Sequence, residues 1–298
     1  GKPIETDEEK AEVMNEFFIE KVKGLCKRVD ETKVEDPYER LRKKIGKNKQ
    51  KFEFRLLSVK DVVNILKKMK RTKSCGLDGI SSDAIRPVCE IIAPALTNVI
   101  NSSLTSGIFP NVYKTAKVIC IYKGKGERSN PNNYRPVSNL ALFGKCQEIA
   151  VDMQLREYCE RYDIFGKHQH GFRKCRSTTT ALLTAVTKWR TNRSRIFRGV
   201  LLFDLSAAYD VLDKDIFLKR LTSLESVMYQ LKWLRFYLSD RCQVVQVNLA
   251  PKKPCQRNAS RLFLQLYDFC NIQGGPKNMS HNHDQSTFFR VKKFFPEK

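Results

Sequence analysis

An aspartate at the end of a short apolar run is the residue of this chain best placed to do chemistry. Residues 200–203 are Val-Leu-Leu-Phe, Asp204 follows them, and Leu205 lies just beyond. A continuous apolar run of this kind predicts a strand that is buried on both faces. A carboxylate at its end is costly to bury unless it binds a cation, so Asp204 is a candidate metal ligand. The alternative is an aspartate that begins a turn or caps the next helix.

The charge balance of the chain predicts an anionic partner. The 298 residues include 55 Lys and Arg against 32 Asp and Glu, which gives a formal net charge of +23. Such an excess is unfavourable in a compact chain unless something anionic binds it, and nucleic acid is the first candidate, ahead of an anionic membrane surface. No apolar segment approaches the roughly 20 residues that a bilayer span needs, so we expect no membrane partner.

The ten cysteines predict free thiols rather than a disulfide framework or a zinc site. None of them forms a Cys-x-x-Cys pair, and most lie in apolar or helical surroundings. This usage is typical of a protein in a reducing compartment. The first residue is Gly1 rather than Met, which indicates a fragment of a longer protein.

The elements that must position Asp204 alternate between helices and short strands. A capping box at Ser58-Val-Lys-Asp61 predicts the start of a helix through Leu66 and Met69. The spacing of apolar residues predicts further helices over 7–25, 83–105 with breaks at Pro87 and Pro94, 142–161, 178–195, 214–221 and 226–239. Besides the Asp204 strand, it predicts strands over 117–122 and 243–248, and a mobile basic loop over 123–131.

Four segments occur in an order that is typical of one protein family, and a fifth follows them. They are Gly76-Leu-Asp-Gly-Ile80, Asn133-Tyr-Arg-Pro-Val-Ser-Asn-Leu140, His168-Gln-His-Gly-Phe-Arg173 with Ser177-Thr178 behind it, and Phe203-Asp-Leu-Ser-Ala-Ala-Tyr-Asp210, followed by Tyr237-Leu-Ser-Asp-Arg-Cys-Gln-Val-Val-Gln-Val-Asn248. Together they resemble the reverse transcriptases of non-LTR (LINE-type) retrotransposons. The resemblance covers roughly residues 58–249.

The resemblance implies an α+β fold, namely the fingers and part of the palm of a right-hand polymerase, with an antiparallel sheet, helices and no thumb. The resemblance places the reverse transcriptase region at 58–249. The helical spacing and basic charge of residues 1–57 predict an N-terminal extension, and the weak pattern after Pro251 predicts that 250–298 are an unrelated or disordered tail. The family's activity is RNA-directed DNA synthesis, so the expected partners are an RNA template, a DNA primer and deoxynucleoside triphosphates. It also implies an intracellular protein, nuclear or cytoplasmic.

The resemblance also assigns a metal site. The family uses Mg²⁺, which prefers hard oxygen ligands and retains bound waters and substrate phosphates. Asp204 matches the first metal-binding carboxylate of the family, and the backbone carbonyl of Leu205 matches a position that often completes the site.

Three residues match contacts to the incoming nucleotide. Arg135 matches the fingers arginine that grips the triphosphate, because a guanidinium offers two donors to phosphate oxygens. Lys123, in the basic loop before it, is the second expected phosphate contact, unless it is simply a solvent-facing lysine. Tyr209 matches the aromatic gate that packs beneath the sugar and excludes a 2′-hydroxyl. The alternative for Tyr209 is a core aromatic at the start of a helix.

A further segment matches contacts to the template or primer. Gly171 and Phe172 would approach the nucleic-acid backbone, because a glycine lets chain and phosphate come close. Gln169 and Arg173 would donate hydrogen bonds to phosphates or sugars. The structural alternative is a turn before a helix that Ser177 caps, and the two interpretations are compatible.

The carboxylates that should complete the metal site are missing. The family places a Pro-Gln-Gly loop and then a Tyr-x-Asp-Asp hairpin after the first catalytic motif, but this chain contains no Asp-Asp pair. Leu266-Tyr-Asp-Phe269 is the nearest candidate and offers one carboxylate. We therefore expect a reverse transcriptase truncated before the Tyr-x-Asp-Asp motif and inactive as it stands. The alternative is a catalytically dead remnant that binds RNA through its basic fingers.

Overall fold

The computed structural model describes residues 6–30, 51–166, 168–191, 214–222, 228–247, 250–251 and 255–256. The predicted Asp204 strand and the tail beyond residue 256 lie outside these residues. The described helices are α1 (Asp7–Asp30), α2 (Val59–Lys68), α3 (Ser82–Ile85), α4 (Cys89–Ser106), α5 (Leu142–Arg161), α6 (Thr178–Thr191), α7 (Lys214–Thr222) and α8 (Met228–Leu238). The strands are β1 (Thr115–Tyr122), β2 (Tyr134–Asn139), β3 (Cys242–Val247), β4 (Ala250–Pro251) and β5 (Cys255–Gln256).

These elements confirm the α+β class and most of the helices predicted from apolar spacing. Helix α2 begins at the predicted capping box, where Ser58 accepts a hydrogen bond from the Asp61 N–H and the Asp61 carboxylate accepts one from the Ser58 N–H. The predicted break at Pro87 is a short 3₁₀ turn between α3 and α4. The predicted break at Pro94 is wrong, because α4 continues through that residue to Ser106. Gly107 caps its C-terminal end with a left-handed φ of +67°, which suits a residue without a Cβ.

The sheet is mixed, with the strand order β2-β1-β3-β4 and β5 paired beside β3. Strands β1 and β2 are antiparallel, as expected, but β1 and β3 are parallel, so the prediction of a purely antiparallel sheet is wrong for this pair. A parallel pair requires a long crossover between its strands, and helices α5 to α8 lie in the chain between β1 and β3. Strand β2 was not predicted because Pro136 interrupts it, and proline is tolerated there because β2 lies at the edge of the sheet formed by the described strands.

Helix α1 covers one face of the sheet. Ala11 on the helix packs with Val118 of β1 and Val245 of β3, and all three side chains are buried. The contact also has a polar part, since the Gln243 amide donates to Asn15 Oδ1 at 2.8 Å. The N-terminal helix is thus packed against the same sheet that contains the second and fifth sequence motifs.

An aromatic cluster forms the centre of the larger core between α2, α4, α5 and α8. The Trp233 ring stacks on Tyr237 with 5.2 Å between centroids, and Phe109 packs edge-on against both rings. The indole N–H of Trp233 donates to Ser103 Oγ at 2.9 Å, so the buried ring is hydrogen-bonded. No disulfide joins the eight cysteines whose side chains the structure describes.

A buried ion pair joins this core to the start of β3. Glu148 on α5 accepts hydrogen bonds from the Tyr237 hydroxyl at 2.7 Å and from Arg241 Nη2 at 3.1 Å. Arg241 lies over the Tyr237 ring at 4.4 Å and donates to the Tyr113 carbonyl at 3.2 Å. Burial raises the pKa of Glu148, and the cation and the hydroxyl act in the opposite direction. Arg241 and Tyr237 therefore offset part of the effect of burial on this carboxylate.

No helix within the described ranges combines the length and the apolar character needed to cross a bilayer.

We expect Arg241→Ala to lower the free energy of unfolding by about 3–5 kcal/mol, because it leaves the Glu148 carboxylate buried without its cation. Urea unfolding followed by circular dichroism measures this change. The control is Glu90→Ala, which removes an exposed ion pair with Lys67 at 2.7 Å and should change stability little. A loss in Arg241→Ala no larger than in the control would contradict the role of the buried pair.

Candidate functional site

The β1–β2 hairpin brings the two predicted phosphate-binding cations to one face of the sheet. Arg135 on β2 lies directly opposite Ile121 on β1, so their side chains share a face. Lys123 lies two residues beyond Ile121, and its N–H donates to the Asn133 carbonyl at 2.7 Å, which extends the pairing past the end of β1. Side chains two apart on a strand point the same way. The backbone therefore places Lys123 and Arg135 as diagonal neighbours.

The two cations differ in what they already bind. The Lys123 ammonium donates to the Asn132 carbonyl, whereas the Arg135 guanidinium makes no hydrogen bond or ion pair with another described residue. Both residues are exposed. Arg135 is therefore the better placed of the two to bind an external anion, and a phosphate contact by Lys123 would replace its bond to the loop.

The basic loop over 123–131 is held against the hairpin by several hydrogen bonds. The Tyr134 hydroxyl donates to the Arg128 carbonyl at 2.9 Å, and the Asn133 amide donates to the Glu127 carbonyl at 2.8 Å. Gly126 has a φ of +82°, and a Cβ there would lie 2.5 Å from the Asn133 amide nitrogen. These contacts tie the loop back to the residues just before β2, so the mobile loop predicted from composition is hydrogen-bonded in the structure.

Helix α5 lies in the chain between the second motif and the third, and the third forms a surface turn that we call the Phe172 loop (residues 168–177). Phe172 has a φ of +57° and is 47% exposed, so the loop presents an aromatic ring to solvent. Gln169 is buried, with 3% of its surface exposed. A solvent-facing aromatic can stack on a nucleobase, whereas a buried glutamine contributes to the support of the loop.

Two arginines, Arg173 in the loop and Arg156 on helix α5, form the contacts that hold the Phe172 loop to this helix. The Arg173 guanidinium is bidentate to Glu160 at 2.9 and 2.6 Å and donates to the Gly166 carbonyl at 3.2 Å. Arg156, itself paired with Asp152 at 2.8 Å, donates to the Phe172 carbonyl. Arg173 is thus an anchor of the loop in this structure, and its predicted contact with phosphate or sugar stays a prediction.

The structural alternative for this segment is confirmed in one respect. Ser177 Oγ accepts a hydrogen bond from the Thr180 N–H at 3.2 Å and so caps α6. The His170 ring bonds Thr180 Oγ1 at 2.8 Å, which ties the loop to the same helix end. Burial lowers the pKa of His170, which favours its neutral form at neutral pH.

Sequence reasoning missed Glu160 and Arg156, the residues that hold the Phe172 loop. The pair Asp152 and Arg156 has helical i, i+4 spacing, a signal that was available in the sequence. The pairing of Glu160 with Arg173 spans 13 residues and a change of chain direction, and neither charge is unusual in so basic a chain. No local pattern could have selected it.

The predicted metal site and sugar gate lie outside the described part of the chain. Asp204, Leu205 and Tyr209 fall in the undescribed range 192–213, so their proximity to Arg135 stays a prediction. Within the residues that the structure describes, no group of three or more His, Cys, Asp or Glu side chains is arranged to hold a metal ion. The assignment of Mg²⁺ therefore depends on the sequence motif.

Part of the chain is similar to curated polymerases of Drosophila transposable elements. A protein described as a probable RNA-directed DNA polymerase from transposon BS of Drosophila melanogaster is 29% identical over 196 residues, which is 64% of this chain and 21% of the relative. The RNA-directed DNA polymerase from mobile element jockey of the same species is 27% identical over 150 residues, 50% of this chain and 15% of the relative. The jockey polymerase of Drosophila funebris is 26% identical over 155 residues, 52% of this chain and 17% of the relative.

These similarities confirm the resemblance stated from the motifs: the chain contains a region related to the reverse transcriptases of LINE-type retrotransposons. The chain spans about a fifth or less of the length of the curated relatives it matches. No protein-family model matches it.

The Glu160–Arg173 pair should make the stability of the chain depend on acid pH. The hydrogen bond from Arg173 lowers the pKa of Glu160 below its ordinary value of 4.5. The contribution of the pair is therefore complete above pH 4.5 and is lost as the pH falls through the lowered pKa. We expect the difference in unfolding free energy between the unmodified chain and Glu160→Gln to shrink in that acid range, measured by urea unfolding at a series of pH values.

The matched control for this prediction is Glu157→Gln on the same helix. Glu157 pairs with Arg161 at 2.8 Å, but both side chains are about 60% exposed, so its removal should have a smaller effect at every pH. An undiminished difference for Glu160→Gln below the ordinary carboxylate pKa would show that the charge of Glu160 does not hold the loop.

Proposed function

Because this chain contains a region related to the reverse transcriptases of LINE-type retrotransposons, we propose that residues 58–249 are the fingers and part of the palm of an RNA-directed DNA polymerase. The observation that carries the proposal is the β1–β2 hairpin, which presents the exposed Arg135 beside Lys123 on one face. Two cations on one rigid hairpin suit the triphosphate of an incoming deoxynucleotide. The net charge of +23 supports a polyanionic template and primer.

At the nucleotide, Arg135 grips the phosphates through two guanidinium donors and Lys123 adds a point charge from the loop. Tyr209 packs beneath the sugar and excludes ribonucleotides. Asp204 and the Leu205 carbonyl would hold Mg²⁺, which, when bound, stabilises the charge that develops during attack of the primer hydroxyl on the α-phosphate.

At the template or primer, the Phe172 loop supplies an exposed aromatic ring and a close backbone approach at Gly171. Stacking on an aromatic ring contributes about 1–3 kcal/mol per base and tolerates any sequence, which suits an enzyme that must copy every template. Arg173 and Gln169 act here chiefly by holding the loop, through the Glu160 pair and through burial respectively.

We expect Arg135→Ala to weaken binding of dTTP to the chain on a primed RNA template by on the order of 10-fold, because a charge-assisted bidentate contact is lost. Fluorescence anisotropy of a labelled dTTP measures the affinity. Lys68→Ala, which removes an exposed cation from α2, is the control for loss of one charge. Equal losses of dTTP affinity in the two variants would contradict a specific contact between Arg135 and the triphosphate.

A second prediction concerns activity. We propose that this chain alone incorporates no nucleotide, because a single catalytic carboxylate, Asp204, supplies too little negative charge to hold two divalent ions against their hydration. Primer extension on an RNA template with Mg²⁺ and all four deoxynucleotides tests this. Extension that disappears in Asp204→Ala would contradict the proposed inactivity and support the polymerase assignment.

The second candidate function is RNA binding without catalysis, which the missing Asp-Asp pair favours. Under it, RNA affinity falls steeply with rising salt, because bound cations displace counterions from the backbone, and does not change when Mg²⁺ is removed. RNA affinity that is insensitive to salt would contradict both functions, whereas dTTP binding that depends on Arg135 favours the polymerase.

A further inference from the structure

The first motif of the chain has no role in the proposed function, yet the structure gives it a specific contact. The segment lies in a turn that we call the Asp78 loop (residues 74–80). Asp78 Oδ2 accepts a hydrogen bond from the backbone N–H of Leu142 at 3.3 Å, and Oδ1 accepts one from the Ile80 N–H at 3.2 Å. One carboxylate therefore closes its own turn and contacts the first residue of α5.

Helix α5 has no cap of its own. Ala141 occupies the N-cap position and has no side chain that can accept a hydrogen bond, and the first turn contains no acidic residue. The first N–H groups of a helix need acceptors, and the positive end of its dipole favours a negative charge. Asp78, 64 residues earlier in the chain, supplies both.

The glycine that begins the motif allows this approach. A Cβ on Gly76 would lie 2.7 Å from the Ala141 nitrogen and 2.8 Å from the Leu140 carbonyl carbon. Such distances are too short for any side chain beside backbone atoms. Gly79 has a φ of +69°, the left-handed region that the turn after Asp78 requires. The two glycines thus let the loop lie directly on the backbone that enters α5.

That backbone is also the base of the β1–β2 hairpin. Leu140 and Ala141 join β2 to α5, and Asn139, the last residue of β2, pairs with Lys117 near the start of β1. Tyr113, just before β1, packs against Gly144 in the first turn of α5, where a Cβ would lie 2.9 Å from the tyrosine Cβ. By contacting this backbone, the Asp78 loop therefore fixes the base of the β1–β2 hairpin.

We infer that Asp78 is a positioning residue for the nucleotide site: by fixing the start of α5 and the base of the hairpin, it sets the direction in which Arg135 faces the triphosphate. The expected effect on nucleotide binding rests on the proposed function. The expected effect on the hairpin rests only on the contacts of Asp78. Gly76 acts with it by allowing the contact.

The test compares two helix caps in the same chain. Asp78→Ala should weaken dTTP binding on a primed RNA template by on the order of 10-fold, because small displacements of a binding group reduce its contacts sharply. Asp78→Asn should restore the affinity to within about threefold, because asparagine caps helices nearly as well as aspartate. Ser58→Ala removes the cap of α2 instead and should leave the affinity unchanged, so a general loss of stability is excluded as the cause.

A second measurement does not need the nucleotide. Hydrogen–deuterium exchange of the backbone over residues 134–145 should become faster in Asp78→Ala and in Gly76→Ala, and stay unchanged in Ser58→Ala. Equal exchange in all variants would overturn the inference. Absence of dTTP binding in the unmodified chain would contradict the proposed function, and the exchange result then still decides whether Asp78 positions the hairpin. Faster exchange over residues 134–145 together with unchanged dTTP affinity would contradict the inference that Asp78 sets the direction of Arg135.

Discussion

Burial of helix α5 is the constraint on which the rest of the described structure depends. The helix is buried along most of its length, including Glu148 and Gln154. Buried polar groups must find partners, since an unpaired one costs about 1–3 kcal/mol. Here the partners come from distant parts of the chain: Arg241 and Tyr237 bind Glu148, and the Gln154 side chain accepts from the Arg55 N–H at 2.6 Å. These bonds connect α5 to α8, to the residue before β3 and to the segment before α2, whereas the Gln147 side chain, also buried on α5, has no hydrogen-bond partner among the described residues.

The same helix connects the two surfaces that we assign to nucleic-acid chemistry. Its N-terminal end follows directly from β2, which carries Arg135, and its C-terminal half holds the Phe172 loop through Arg156 and Glu160. Because a helix of 20 residues is about 30 Å long, one rigid element joins the hairpin that carries Arg135 to the loop that carries Phe172.

The elements near helix α5 show which structural features can be predicted from local sequence patterns. The strand at 117–122, the helix at 142–161 and the capping box at Ser58 are present in the structure as predicted, because each depends on residues within a few positions of one another. The parallel pairing of β1 with β3 was not predicted, and neither was β2, which contains a proline. Pairing depends on which strands meet after the helices have packed, and that information is not local.

The sequence by itself indicated a relation to the reverse transcriptases of LINE-type retrotransposons, through motifs in that family's order, and it predicted contacts for Arg135, Lys123 and the Phe172 loop. The given sequence also contains no Asp-Asp pair. Only the tertiary structure decided which charged groups are already occupied: Arg173 binds Glu160, Lys123 binds the Asn132 carbonyl, and Asp78 caps α5. The reason is physical, because a charge is available to a ligand only when folding has not already given it a partner.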